Sequence, residues 1–305
     1  MKPIIEIAHL QITDHLVLGV CKHWLDSGEI DFKEFSLKTT SVVEWNDVKN
    51  LLQKNQVNGA FILSPFAMDI FRTQRDIQLV LFGHRNGSIL VKNKKAGINS
   101  ISDFKGKEVI IPHQLSIHNM LFHQLLAEKG YNADPGGDVL LEVIAPSEIP
   151  EMIRKYPSLA GFIVAEPFGS QVITEGLGEE LMLSKDIWPG HPCCVFVVKQ
   201  RLIDDHANAL QELIGALVKA GKFIESNPVE AAKIGAKFLN QREDVVYKVL
   251  TQPMDRITTN NLFPVIEDLE KIQKYMTDKM SKGMFGQINL EKFVNHQFAL
   301  NAGAT

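Results

Sequence analysis

Cysteine is scarce in this chain. Its 305 residues include three, Cys21 and the adjacent pair Cys193–Cys194. Three thiols make no disulfide framework, and no Cys-x2-Cys or His-x3-His pair supplies ready metal-ligand spacing. Positive charge is not in excess either. The net charge of −4 argues against a nucleic-acid surface and against docking on an anionic membrane. No apolar run approaches the ~20 residues of a membrane helix. The opening MKPIIEIAHL shows neither an apolar signal core with a small-residue cleavage site nor a lipobox cysteine. That leads us to expect a cytoplasmic chain, or a periplasmic or otherwise extracytoplasmic one whose leader has been removed. No internal repeat and no low-complexity tract is present.

What is there is ordinary globular composition, 45% hydrophobic and 22% charged, in a chain long enough for two domains. Strand and helix patterns alternate. Residues 4–10, 35–39, 59–63 and 77–82 read as strands. Between them lie helical patterns opened by Thr13 or Asp14, by Trp45 and by Pro65. This predicts a mostly parallel sheet with helical crossovers.

The organising stretch is Gly87 to Gly130. An apolar strand (Ile89-Leu90-Val91), a basic turn, a second buried strand (Val109-Ile110-Ile111) and a loop lead to a helix opening at Ser116. Strand, loop and helix N-terminus form a ligand-holding geometry. The strand–helix logic then repeats to a second apolar run, Val195 to Val198. Two crossings, near residues 90 and 195, divide the chain into a first lobe of residues 1–89 and 196–305 and a second of 90–195, joined by a hinge. Beyond Ile203 the pattern is nearly all helix. Asn227-Pro228-Val229-Glu230 reads as a helix start, and Pro264 opens another helix.

The segments Ile89-Leu90-Val91, Ile101 to Lys107 and Val109-Ile110-Ile111 resemble the lobe crossing of periplasmic-type substrate-binding proteins. The chain is most similar to the nitrate/sulfonate/taurine class of ABC importers. Ala165-Glu166-Pro167-Phe168, Trp188 to Cys194 and the Asn227-Pro228 helix fit the same class. The resemblance implies an α/β, two-lobed, type II periplasmic-binding-protein fold (a Venus flytrap) with a helical C-terminal extension. It further implies a solute-binding component that closes on a small molecule and delivers it to an ABC permease, without chemistry, cofactor or nucleic acid, as a monomer.

The cleft is expected where loops leave the C-terminal ends of strands. Those loops offer Gln11, Thr13, His15, Trp45, Ser64, His84, Gln114, Ser116, His118, Glu166, Phe168 and His191 as ligand-binding candidates. Seven of the ten histidines fall in or beside them: His9, His15, His84, His113, His118, His123 and His191. Neutral imidazole suits transition metals, which makes His84, His118 and His191 the metal candidates. The five-residue step from His118 to His123, however, turns a helix by roughly 140°, and the expectation is no metal. Trp45 and Phe168 either stack on a planar ligand or close a core. Ser116 reads as a helix N-cap before a ligand donor, and Glu166 as a cap or a ligand contact. Asp14 reads as solvated or capping, and Cys193–Cys194 either carry redox or metal chemistry or, more often for residues opening an apolar strand, are small core residues.

Arg85 is the lone cation in these loops against Asp14 and Glu166, so a neutral, cationic or heterocyclic solute fits as well as an oxyanion. Two rivals use the same fold. One is a soluble enzyme resembling the thiamine-pyrimidine precursor synthase or chorismate dehydratase; the other is a cytoplasmic ligand sensor. Spacing along the chain shows no nucleophile–base pair, and the cleft loops hold no lysine for a Schiff base.

Overall fold

A computed structural model describes residues 2–280 and 285–305. The chain builds two five-stranded sheets, each flanked by helices. The first lobe opens with β1 (Ile4–His9), α1 (Leu16–Ser27), β2 (Ser36–Ser41), α2 (Trp45–Gln53), β3 (Gly59–Leu63), α3 (Ser64–Gln74) and β4 (Ile77–Phe82). A short β5 (Arg85–Asn86) leads into the second lobe: β6 (Ser88–Asn93), β7 (Glu108–Ile111), α4 (Ile117–Glu128), β8 (Leu140–Val143), α5 (Ile149–Lys155), β9 (Leu159–Ala165), α6 (Phe168–Thr174), β10 (Gly178–Leu183) and α7 (Ser184–Ile187). The chain returns through β11 (Cys194–Lys199). It ends in α8 (Gln200–Ser226), α9 (Pro228–Phe238), α10 (Glu243–Thr251), β12 (Ile257–Thr258), α11 (Ile266–Lys279), α12 (Leu290–Phe293) and α13 (Gln297–Asn301).

The strand orders are β2-β1-β3-β11-β4 and β10-β6-β9-β7-β8, and β5 pairs with β12 in a separate ribbon. In each sheet four strands run parallel and one runs against them. The antiparallel member is β11 in the first sheet and β6 in the second, in each case the strand by which the chain enters that lobe. Both are buried nearly end to end, β11 on every residue. Buried on both faces, such strands read as continuous apolar runs rather than as alternation.

Local chemistry accounts for most element boundaries. Gly28 ends α1 in the left-handed conformation, φ 78°, which glycine adopts without a Cβ penalty. Ser116 caps α4, its hydroxyl accepting the Asn119 N–H at 3.0 Å. Other starts differ from the sequence reading. Thr13 and Asp14 form a 3-10 turn ahead of α1 and cap nothing. The Asn227 side chain donates back to the Phe223 carbonyl and does not cap α9. Helix α11 begins at Ile266, two residues after Pro264, and β12 interrupts the all-helical tail with a two-residue strand.

Two apolar cores result. One holds the outer face of the first sheet against α1, α8, α9 and α10, with Phe61 stacked on Phe196 at 4.8 Å. The other runs from the inner face of the first sheet through the second lobe to α11. Helix α11 packs against both α3 and α4, so the C-terminal tail touches both lobes. The lobes are closed on one another. The Thr13 N–H donates to the Glu166 carbonyl at 2.8 Å, the His113 ring lies against Phe66 at 4.3 Å, and the Gln241 amide donates to Gln171 at 3.1 Å.

Candidate functional site

Loops from both sheets converge between the lobes, as strand C-terminal ends do in open α/β sheets. The loop after β1 delivers Thr13, Asp14 and His15. The segment after β4 delivers His84, the start of β6 Ser88, the first turn of α4 His118, and the lead into β11 His191, Cys193 and Cys194. All of these side chains are buried. Gly87, at φ +82°, keeps the turn tight beside His84, because a Cβ there would lie 3.0 Å from the His84 Nδ1.

The centre is a carboxylate, an imidazole and two thiols. Asp14 Oδ2 lies 2.9 Å from His84 Nε2 and accepts the Cys194 thiol at 3.5 Å. The Cys194 backbone N–H reaches the same His84 Nε2 at 3.2 Å. Cys193 Sγ stands 3.9 Å from His118 Nε2, which Ser88 Oγ meets at 2.9 Å. Here the structure corrects the sequence reading twice. Asp14 is neither solvated nor a cap; it is sealed in against His84, seventy positions away in the chain. Cys193 and Cys194 are buried members of the apolar core, as the sequence reading had them, with their thiols against polar partners. A thiol and an imidazole do meet, because the fold brings Cys193 to His118.

Burial sets the ionisation here. It drives the Asp14 carboxyl up to about 6, even with His84 alongside. Burial works against a charged His84, but the Asp14 carboxylate overrides it and raises that imidazole to about 10. His191 is pushed down to about 4 by burial, and His15 well down by burial and the neighbouring His9. Burial penalises a Cys193 thiolate, yet hydrogen bonding from Cys194, His118 and His84 holds that thiol well below its ordinary value. Burial and Cys193 push Cys194 the other way.

Of the twelve candidates read from sequence, seven carry a fully buried polar atom with no hydrogen-bond partner: Thr13, His15, Trp45, Ser64, His84, His118 and His191. Unpaired buried polar atoms are rare, because each costs the desolvation of its group. Phe168 is buried and apolar. The other four are engaged elsewhere. Gln11 reaches the Phe238 carbonyl at 3.4 Å. Ser116 both caps α4 and donates to the His113 carbonyl at 2.7 Å. Gln114 is exposed and lines a surface pocket with Asn119, His123 and Met280. Glu166 spends its carboxylate on Ser170 and on Arg256 Nη1 at 2.6 Å. Arg85, the lone cation of the cleft loops, is bound to Asp268 at 2.7 Å and to the Gly190 carbonyl.

Sequence reasoning missed Asp14, Ser88 and the cysteine pair as members of the cluster, and Arg256 as the partner of Glu166. The alternation of loop and strand ends could have found Ser88, which opens β6 just past His84. Nothing local flags Arg256.

Comparison with known proteins places this geometry. A nitrate/nitrite-binding protein NrtA of Nostoc sp. is 29% identical over 145 residues, 46% of this chain and 32% of that protein. A nitrate import ATP-binding protein NrtC of Synechocystis sp. is 24% identical over 243 residues, 72% of this chain and 35% of that protein. The chain spans about a third of the length of these curated relatives. Among solved structures, the ligand-binding component of an ABC-type import system from Staphylococcus aureus, with zinc bound, superposes with a TM-score of 0.87 at 23% identity, covering 99% of each chain. The periplasmic nitrate-binding protein NrtA from Synechocystis PCC 6803 gives 0.86 at 15% identity, covering 99% of this chain and 88% of that one. These likenesses show the fold, the two-lobed architecture of periplasmic binding proteins. Among the described residues no helix is long and apolar enough to cross a membrane. The model of the NMT1-like family matches residues 7–240, and the chain belongs to that family.

Proposed function

We propose that this chain is the solute-binding component of an ABC importer, which captures a small molecule between its lobes by hinge closure and presents it to a membrane permease. The observation that carries the reading is the set of seven unpartnered buried polar atoms on loops of both lobes. A solute supplying partners to those atoms would stabilise the closed form by relieving their desolvation. The family and the functions of the relatives, nitrate and nitrite binding and nitrate import, support the same reading. On it the working protein is a monomer on the outer face of the membrane, and its two lobes are residues 1–89 with 196–305, and 90–195.

The test has two stages. Nitrate, bicarbonate and methanesulfonate are titrated by thermal shift, where a solute that binds only the folded protein raises Tm with the logarithm of its concentration. The stabilising solute is then followed by small-angle scattering, which should report compaction on saturation. If no solute stabilises the protein, and protein purified without chelator carries no small molecule by native mass spectrometry, the reading fails.

A second reading, an enzyme on the same fold, draws on Cys193. This thiol is held toward thiolate between His118 and His84, and His84 is oriented by Asp14, the order of groups that activates a nucleophilic cysteine. Time-dependent, stoichiometric alkylation of Cys193 by iodoacetamide in the native protein would favour it. A native thiol as inert as Cys21 would exclude it.

A further inference from the structure

The groups on the floor of the cleft form a chemical set. Asp14, His84, Cys193 and Cys194 each offer a donor atom, one oxygen, one nitrogen and two sulfurs, all within 4.8 Å of one another and all fully buried. Their hydrogen bonding cannot be completed among themselves. His84 Nε2 faces the Asp14 carboxylate at 2.9 Å and the Cys194 N–H at 3.2 Å. One ring nitrogen cannot donate to the first while it accepts from the second. Asp14 Oδ1, wholly buried, has no partner at all. In a dry interior each unmet demand costs the desolvation of that group. A cation among the four would be faced by lone pairs from carboxylate, imidazole and sulfur alike, and would partner the carboxylate of Asp14.

We propose that the cleft floor of this chain binds one zinc-class divalent transition ion through Asp14, His84, Cys193 and Cys194. Two sulfurs and an imidazole select a borderline-soft ion and reject magnesium or calcium, which take oxygen ligands. Tetrahedral zinc, with bonds of about 2.0–2.3 Å, sets its donors about 3.3–3.8 Å apart, so the widest-spaced donors need to draw in by up to about 1 Å while the Asp14–His84 pair, at 2.9 Å, opens slightly. Cysteine holds such an ion as thiolate, so the carboxylate and two thiolates leave one net negative charge against a 2+ ion. All four donors come from the first lobe and the connections into and out of it. With the lobes closed, His118 Nε2 of the second lobe lies 3.9 Å from Cys193 Sγ, beside the proposed ion. The site stands on these donors and does not depend on the importer reading.

The experiment uses the full chain, stripped with chelator and titrated with zinc(II) against a chromogenic chelator, and with cobalt(II) followed by absorption. One ion per chain and a thiolate-to-cobalt charge-transfer band are expected. Cys193→Ser should reduce the band to what Cys194 alone supplies and weaken zinc by more than about 100-fold, beyond the range of outer-shell losses. Asp14→Asn, nearly isosteric and so a guard against misfolding, should weaken zinc while thermal unfolding stays cooperative. Cys21→Ser, whose thiol is buried in α1 away from the cluster, should bind as the parent does. Absence of the band, or zinc binding unchanged in both Cys193→Ser and Asp14→Asn, overturns the proposal. A zinc-free protein that still captures nitrate would leave the importer reading standing, and a zinc-binding protein that captures no solute would leave the ion site standing.

Discussion

Replacing Arg256 by methionine tests a buried charge pair, that of Arg256 with Glu166. Arg256 is 3% exposed and Glu166 0%. The guanidinium donates to Glu166 at 2.6 Å, to Glu180 at 2.9 Å, to Ser170 at 3.3 Å and to the Gln252 carbonyl at 2.8 Å. Methionine keeps much of the stem's packing but strips Glu166 of its counter-charge, leaving only the Ser170 N–H and hydroxyl to solvate a sealed carboxylate. Breaking one partner of such a pair costs about 3–5 kcal/mol. With roughly 2.1 cal/mol/K of unfolding entropy per residue, a chain of this length converts about 4 kcal/mol into a Tm loss of about 6 °C. The diagnostic step is the double variant Glu166→Gln with Arg256→Met. It removes the stranded charge and should recover most of the loss, since the penalty lies in the unpaired carboxylate rather than in the missing contact. Calorimetry on both variants measures this. Arg242→Ala, which breaks the exposed pair with Asp244, serves as a control with no resolvable shift. A double variant no more stable than Arg256→Met would refute the reasoning, because the cost would then be packing.

Other outcomes follow from single features. His113 and His191 are pushed down to about 4, chiefly by burial, from an ordinary value of 6.5. A depressed histidine binds fewer protons folded than unfolded. Its contribution is therefore present in full above pH 6.5 and is lost as pH falls toward 4, by roughly 3 kcal/mol for His191; His191→Gln should flatten that limb in urea melts taken across the range. Gly221→Ala should destabilise by about 1–3 kcal/mol, since its Cβ would stand 2.0 Å from the Thr259 carbonyl oxygen, a backbone atom with little freedom to yield; an unchanged urea midpoint would refute that contact. Phe196→Ala, removing half of the buried Phe61–Phe196 stack, should cost about 3–5 kcal/mol in the same assay.

The alternation of elements was legible because burial on both faces writes itself as apolar runs, as in 59–63 and 195–198. The cleft histidines were legible because loops at strand C-terminal ends mark ligand positions in any open α/β sheet. What stayed hidden was pairing across sequence distance. Asp14 sits at a helix entrance and reads locally as a cap; only the return of β4 beside β11 brings His84 to it. Cys193 meets His118 only because the chain crosses between lobes twice. Glu166 reads as a cleft carboxylate until Arg256, ninety residues on, arrives from the loop after α10. Gln114 shares a loop with Ser116, but the turn into α4 directs it outward.

Helix α11 adds a third connection between bodies that the chain already joins twice. Its Asp268 is moored to Arg85 at the crossing, its Tyr275 hydroxyl meets His123 of α4 at 2.9 Å, and its other flank lies on α3. Two strands running side by side leave a hinge one soft axis; a strut lying across the gap removes part of that freedom. Opening must therefore slide α11 along one flank or part Tyr275 from His123. The mouth of the cleft is thus governed partly at a latch remote from the buried donors, and the rate at which a solute leaves becomes a property of that latch as well as of the site.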